Sequence, residues 1–298
     1  MYTFEEFIIA VYCAVDDALK VLTSGHRLRG RGFAPGLSDA EVMAMEIIAE
    51  YQGIDADKAI WQYFRRHWLG WFPGLPGRSN FVRQSANLWQ YKQLIQAQLA
   101  IQLGALADDV HLIDGLPMRL CCITYAPRCQ SFQGSASYGY CAAKDEHFYG
   151  FRGHLNVSLN GVITGFTVTP ANGDERAALW EISQGIQGLL IGDKGYLSAD
   201  LKRDLAASGI WLETPLRSNM SPTRPPEWVQ LEQRLRRLIE TVNSQLSERF
   251  HFERIRCRDL WHLTSRVNRK ILAHTLCCWL NYKRGRDLLQ FDGLVCDA

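Results

Sequence analysis

The chain has 298 residues, 47% hydrophobic and 21% charged, which excludes a disordered chain and leaves ample length for one or two packed cores. Lys and Arg number 33 against 31 Asp and Glu, and a formal +2 by itself asks for no polyanionic partner. Apolar runs are too short to span a bilayer, and the apolar start of the chain follows Glu5 and Glu6 where an export signal carries basic residues, so no membrane partner is expected and the cytoplasm is the expected compartment.

Residues 1 to about 100 read as helical. Ser38 and Glu41 have capping-box spacing, and Val42, Met45, Ile48 and Ala49 then recur on one helix face. Trp61, Phe64 and Trp68 share a face of the next helix, which Gly70 and Pro73 end. Two readings stand: a helix-turn-helix-like DNA reader, or a small bundle whose aromatics are core. Residues 74–87 read as loop and helix start, and the helix continues to about Gln102.

From Val110 the pattern turns β-like. Val110–Ile113 predicts a short strand ending at Asp114-Gly115, and Met118–Thr124 a second strand. Residues 125–150 show no periodicity and predict a long loop. Leu155, Val157 and Leu159 alternate with polar residues before Asn160-Gly161, a hairpin signal, and Pro170 stops the returning strand. Asn172 or Asp174 caps a helix to about Glu181. Leu189–Ile191 predicts a buried strand running into Gly192-Asp193-Lys194-Gly195-Tyr196. Ser198 opens a helix to about Ser208, and Ile210–Leu212 predicts another strand. Residues 215–226, with four prolines, read as loop. A long helix follows from about Pro226 to Phe250, striped by Trp228, Leu231, Leu235, Leu238, Ile239, Val242 and Leu246. A last helix covers about Leu260 to Tyr282. Strands alternating with helices predict a mixed α/β domain.

The nine cysteines include no C-x-x-C, and the eight histidines form no ligand spacing. Reduced thiols acting as small buried apolar side chains are expected.

Charge is unevenly spread. Residues 1–100 carry ten basic and ten acidic side chains, whereas Thr214–Arg286 carries fifteen basic against six acidic, a local +9. Thirteen of those fifteen are Arg, the side chain suited to bidentate phosphate contact, so the segment points to nucleic acid. A solvated, salt-bridged helical surface is the plainer alternative.

Three carboxylates stand out. Asp114 and Asp193 each follow a short apolar strand, where α/β sheets place ligand sites, although Asp beside Gly is also ordinary turn chemistry. Glu240 points away from the apolar stripe of its helix and shares a face with Arg236, Asn243 and Ser247. That face is either a surface with an Arg236–Glu240 pair, or the wall of a cleft with Glu240 toward a metal and Arg236 toward a phosphate. Periodicity leaves both open.

LIDGLP (Leu112–Pro117), the stretch Tyr149–Asn172, IGDKGY (Ile191–Tyr196) and RRLIETVNSQL (Arg236–Leu246), in that order, resemble the DDE transposases of bacterial insertion sequences. The likeness extends to Leu37–Asp55 and Trp61–Pro73. It implies an RNase H-like mixed five-stranded sheet flanked by helices, preceded by a helical N-terminal domain. The implied domains are residues 1–104 with a candidate role in binding DNA ends, 105–286 as the catalytic domain with basic C-terminal helices, and an acidic tail at 287–298. It implies Asp114, Asp193 and Glu240 as the catalytic triad and the ligands of two Mg²⁺ ions, with Mn²⁺ able to substitute. Lys194, Arg236, Arg237, Arg249, Arg254 and Arg256 are the expected DNA contacts. Relatives carry Tyr and Lys where this chain has Gln233 and Ser247, so those two contacts are not carried over. The implied partners are double-stranded DNA, as terminal inverted repeats and target, and a second copy of the chain on paired ends in the nucleoid. Competing readings are a domesticated descendant that no longer transposes, a two-carboxylate enzyme such as a glycosidase, and a catalytically dead interaction module.

Overall fold

A computed structural model describes the chain apart from residues 27, 29–32, 142–143, 216–224 and 297–298. In chain order it contains α1 (Phe4–Thr23), α2 (Asp39–Tyr51), α3 (Asp57–His67), α4 (Arg78–Asn87), α5 (Trp89–Gln102), β1 (Val110–Cys122), β2 (Ser137–Cys141), β3 (Glu146–Ser158), β4 (Ile163–Pro170), α6 (Glu175–Ile182), β5 (Gly188–Ile191), α7 (Ala199–Ala207), β6 (Ile210–Glu213), α8 (Pro226–Glu248) and α9 (Leu260–Lys283). Most of the proline-rich loop expected at 215–226, with Arg217 and Arg224, lies outside the described residues. The chain divides into two compact units, Met1–Leu99 with Leu246–Ala298, and Ala100–Gln245. The C-terminal helix α9 falls within the first of these units.

The first unit is helical. The Glu41 N–H donates to the Ser38 hydroxyl (3.1 Å) and the Ser38 N–H donates back to the Glu41 carboxylate (2.6 Å), the capping box its spacing predicts. Phe64 is buried and meets Phe72 edge-on, and Trp68 lies against Phe4, so the aromatic face serves the bundle core. Helix α2 is enclosed nearly all round, which buries two of its carboxylates, Glu46 and Glu50. Such charges are tolerable only when paired. Lys92 meets Glu46 at 2.7 Å, while Arg269 reaches Glu50 at 2.6 Å, Asp57 at 2.9 Å and Glu46 at 3.2 Å. Lys270 meets Glu50 at 2.8 Å, and Arg266 meets Asp57 at 2.5 Å. Three of the fifteen basic residues in the C-terminal segment, Arg266, Arg269 and Lys270, thus face the interior of this unit. Their charge is spent on carboxylates of α2 and α3, which corrects the expectation that the whole segment tracks DNA.

The second unit is a mixed sheet with strand order β2-β3-β1-β5-β6, β4 also pairing with β3. β1 runs antiparallel to β3, while β1, β5 and β6 are parallel to one another. β4 pairs with Phe151–Val157 of β3, and β2 with Glu146–Gly150, so β2 and β4 divide the length of β3. The Asn160-Gly161 hairpin forms, with Gly161 at φ +76°, a value that favours glycine. Glycine is also needed at Gly165, where a Cβ would collide with the Ile182 carbonyl at the end of α6. Ile113, Leu179, Ile182, Leu190, Leu201, Leu205, Ile210 and Leu212 form the core on this side of the sheet.

Two expectations are corrected here. Asp114 does not end a strand: β1 is one strand of 13 residues that passes through Asp114-Gly115 and Pro117. Beyond Leu112 its β5 neighbour has ended, and a strand with one open edge tolerates proline. The expected loop at 125–150 contains β2 and the start of β3, making a sixth strand. The stripe of α8 is buried at Ile239, Val242 and Leu246, whereas Leu231 is exposed. All nine cysteines are free thiols, but only Cys277 and Cys278 are buried, so the expected apolar role holds for those two.

Candidate active site

The site is built by register. The last rung of the parallel β1–β5 ladder pairs Leu112 with Ile191, and the two aspartates follow two residues on, Asp114 within β1 and Asp193 just past the end of β5. That brings the two like charges close enough to act on each other. Asp193 opens a short helical turn, its Oδ1 accepting the Gly195 N–H at 2.8 Å. Asp114 is pinned by the Gly115 N–H on Oδ1 (2.8 Å) and by the Asn243 amide of α8 on Oδ2 (2.7 Å). Burial, followed by the nearby charge of Asp193, pushes the Asp114 carboxyl up to about 6, although Gly115, Arg236 and Asn243 pull it down.

Other residues converge on this pair. Tyr196 is buried, and among the described residues its hydroxyl has no hydrogen-bond partner. Burial, Asp114 and Asp193 all push its phenol upward. Arg152 of β3 pairs with Glu175 of α6, and a Cβ at Gly195 would run into the Glu175 carboxylate and the Asp193 Oδ1. Arg236 is half-buried and acts electrostatically on Asp114.

The sequence-predicted residues fare differently. Asp114 and Asp193 are brought together. Glu240 lies one turn before Asn243 on α8 and is exposed. Lys194 and Arg237 are exposed. Arg254 and Arg256, in the first unit, are exposed, but Arg249 there is tied to Asp292 at 2.6 Å and lies over the Tyr51 ring. Sequence reasoning missed Arg152, Glu175 and Tyr196. The sequence puts Asn243 on the face of Glu240 and gives it no role.

Among the described residues no three His, Cys, Asp or Glu side chains are gathered as a metal site. The donors present are all oxygen: two carboxylates and the Asn243 Oδ1, a buried acceptor that no donor among the described residues reaches. That chemistry suits a hard dication such as Mg²⁺ or Mn²⁺.

Fold and site together define a mixed α/β protein with one carboxylate on a central strand of its sheet and a second just past the end of the adjoining parallel strand. Residues 104–260, more than half of the chain, match the family described as transposase DDE domain, and the chain belongs to that family. No curated protein matches it. Among solved structures it is similar to the piggyBac transposase synaptic complex with hairpin DNA, at TM-score 0.48 and 10% identity over 99% of this chain and 79% of that one. Among the described residues no helix is long and apolar enough to cross a membrane.

Proposed function

We propose that this chain is the transposase of an insertion sequence, cutting DNA at the element ends and joining the freed ends to target DNA. The observation that carries the reading is the apposition of Asp114 and Asp193, within a chain of the transposase DDE family. Glu240 completes the triad by rotation of a long side chain on a helix already anchored to Asp114 through Asn243. Asp114, Asp193 and Glu240 would hold two Mg²⁺ ions, replaceable by Mn²⁺. Such ions, when bound, supply charge neutralisation at the phosphate and activation of the attacking oxygen.

The protein's own groups have distinct tasks. Asp114 must be ionised to serve, and Asn243, Gly115 and Arg236 favour that form against burial. The reaction is hydrolysis that frees a 3′-hydroxyl, then in-line attack of that hydroxyl on target DNA, with no protein nucleophile. Lys194, Arg236, Arg237, Arg254 and Arg256 would contact the DNA backbone, with Arg249 held to its carboxylate unless DNA displaces it. Residues 1–104 would help bind the ends, and residues 105–286 would carry out the chemistry. A dimer on paired ends, working at the nucleoid, follows from the same reading.

The test is strand cleavage of a duplex bearing the inverted repeats that flank the reading frame. Asp114→Asn, Asp193→Asn and Glu240→Gln should each abolish Mg²⁺-dependent cutting while sparing binding. Cutting within about tenfold of wild type in all three would overturn the assignment.

A further inference from the structure

Arg152 is placed as no merely structural arginine needs to be. It rises from β3, opposite Pro117 of β1, and its stem crosses Gly115: the Cδ lies 3.4 Å from where a Gly115 side chain would begin. Its guanidinium pairs with Glu175 and donates to the Tyr140 carbonyl at 3.0 Å. Both members of the pair are about four-fifths covered, at 21% and 20% side-chain exposure, so the head group is held in one place. Among the described residues its other N–H groups have no protein acceptor. Arg152 and Glu175 line a cavity of about 540 Å³ shared with Tyr140, His147, Arg176 and Gly195, and Gly195 is the residue whose amide holds Asp193.

Two features argue against plain neutralisation of the aspartates. Arg152 is bonded to Glu175 and, among the described residues, to neither Asp114 nor Asp193. Glu175 in turn reaches in over Gly195, a position where any Cβ would displace its carboxylate. The pair is thus a fixed cation with open donors at the rim of the carboxylate site, the arrangement that recognises a phosphate oxygen.

We propose that Arg152 contacts a non-bridging phosphate oxygen of the DNA strand bound at the Asp114–Asp193 pair, and that Glu175 is the positioning residue that holds it there. The inference rests on the strand-cleavage reading above. The guanidinium fork gives a charged hydrogen bond to one phosphate, and loss of Glu175 frees the side chain to swing into the cavity.

A methylphosphonate scan tests this. Each phosphate around the cleavage point of the inverted-repeat duplex is replaced in turn by a neutral methylphosphonate, and dissociation constants are measured in an Asp193→Asn background, where the DNA stays intact. With Arg152 present, one position should weaken binding by about tenfold, and in Arg152→Ala that penalty should vanish. Glu175→Gln should shrink it to about threefold. A penalty that persists at every position in Arg152→Ala overturns the proposal, because a structural role would lower binding without erasing the dependence on one phosphate. Should Arg152→Ala fail to fold by circular dichroism, Arg152→Lys takes its place. It should keep the charge and lose the fork, cutting the penalty by half or more, and an unchanged penalty there overturns the proposal equally. The two readings fail separately: carboxylate variants that all cut normally sink the cleavage reading, whereas a persisting penalty beside inactive carboxylate variants sinks the role of Arg152 alone.

Discussion

Asp114 and Asp193 stand at the same offset beyond Leu112 and Ile191, the last paired residues of two parallel strands. Asp193 lies two residues past the end of β5, at the start of a short helical turn, close enough to Asp114 for the two like charges to act on each other. Burial and this neighbour raise the Asp114 carboxyl to about 6. The metal-free protein therefore carries a repulsion at the centre of its sheet.

Asp114→Asn should relieve it. The native Asp114 takes up its proton at a higher pH than the unfolded chain does, so its contribution to stability declines as pH rises from about 4 to about 6 and stays low above that. In EDTA near neutral pH the asparagine variant should melt a few degrees higher, a gain of about 1–2 kcal/mol after allowance for solvent screening. Scanning calorimetry decides, and a variant that melts below wild type would show that Asn243 and Gly115 already compensate the charge in full.

Asn243 ties α8 to Asp114 by one 2.7 Å hydrogen bond, and Glu240 is one turn away on that helix. If Asp114 holds metal as proposed, Asn243→Ala should lower cleavage by about ten- to hundredfold with binding to the ends retained, the usual penalty for removing a group that orients a ligand carboxylate. Asn243→Asp should instead add a third negative charge, lower the melting temperature in EDTA, and recover it on addition of Mg²⁺. If the aspartate variant melts alike with and without Mg²⁺, Asn243 does not face the ion-binding side of Asp114.

The helical unit makes a separate prediction. Burial alone would raise Asp57, but Arg269 and Arg266 outweigh it and hold the carboxyl down at about 2. A depressed acid stabilises the fold above its unfolded value and loses that contribution as pH falls from about 4 to 2. Asp57→Asn should flatten the stability profile in that window. Arg269→Met, which strands Glu46, Glu50 and Asp57 without a shared partner, should destabilise by about 3–5 kcal/mol. Urea unfolding at several pH values measures both, and a Met variant as stable as wild type would mean that the remaining cations rearrange to cover all three acids.

Which parts of this were legible in the sequence follows from locality. Caps at Ser38, Asp174 and Ser198 and the Asn160-Gly161 turn are short-range signals, and the structure shows them. The path of β1 through Pro117 was not legible, because an open strand edge is a property of the neighbours. β2 is hidden for a related reason: Ser137–Cys141 is short, and its two alternating tyrosines, Tyr138 and Tyr140, sit on exposed positions. The inward turn of Arg269 and Lys270 depends on acids more than 200 residues away. At the site, the short apolar runs before Asp114 and Asp193 mark both residues as candidates, whereas helical phase puts Asn243 on the face of Glu240 and gives it no role. Arg152 and Glu175 carry no local mark, since each becomes notable only through the glycine that the other elements bring beside it.

The same distinction sorts the arginines of the C-terminal segment. Arg254 and Arg256 are exposed, whereas Arg249 has an ion pair with Asp292 and a ring beneath it, its guanidinium 5.2 Å from the Tyr51 centroid. Replacing Arg254 or Arg256 with Ala should weaken binding to any duplex and reduce the slope of log affinity against log salt by about one each, because each neutralised phosphate releases counterions. Arg249→Ala should leave that slope unchanged and lower thermal stability instead, through loss of the contacts it makes within its own unit. Fluorescence anisotropy across a salt series, read beside melting curves, separates the two effects. A full unit of slope lost in Arg249→Ala would mean that DNA pulls this side chain away from Asp292, and an unchanged slope in both Arg254→Ala and Arg256→Ala would remove this stretch from the DNA interface.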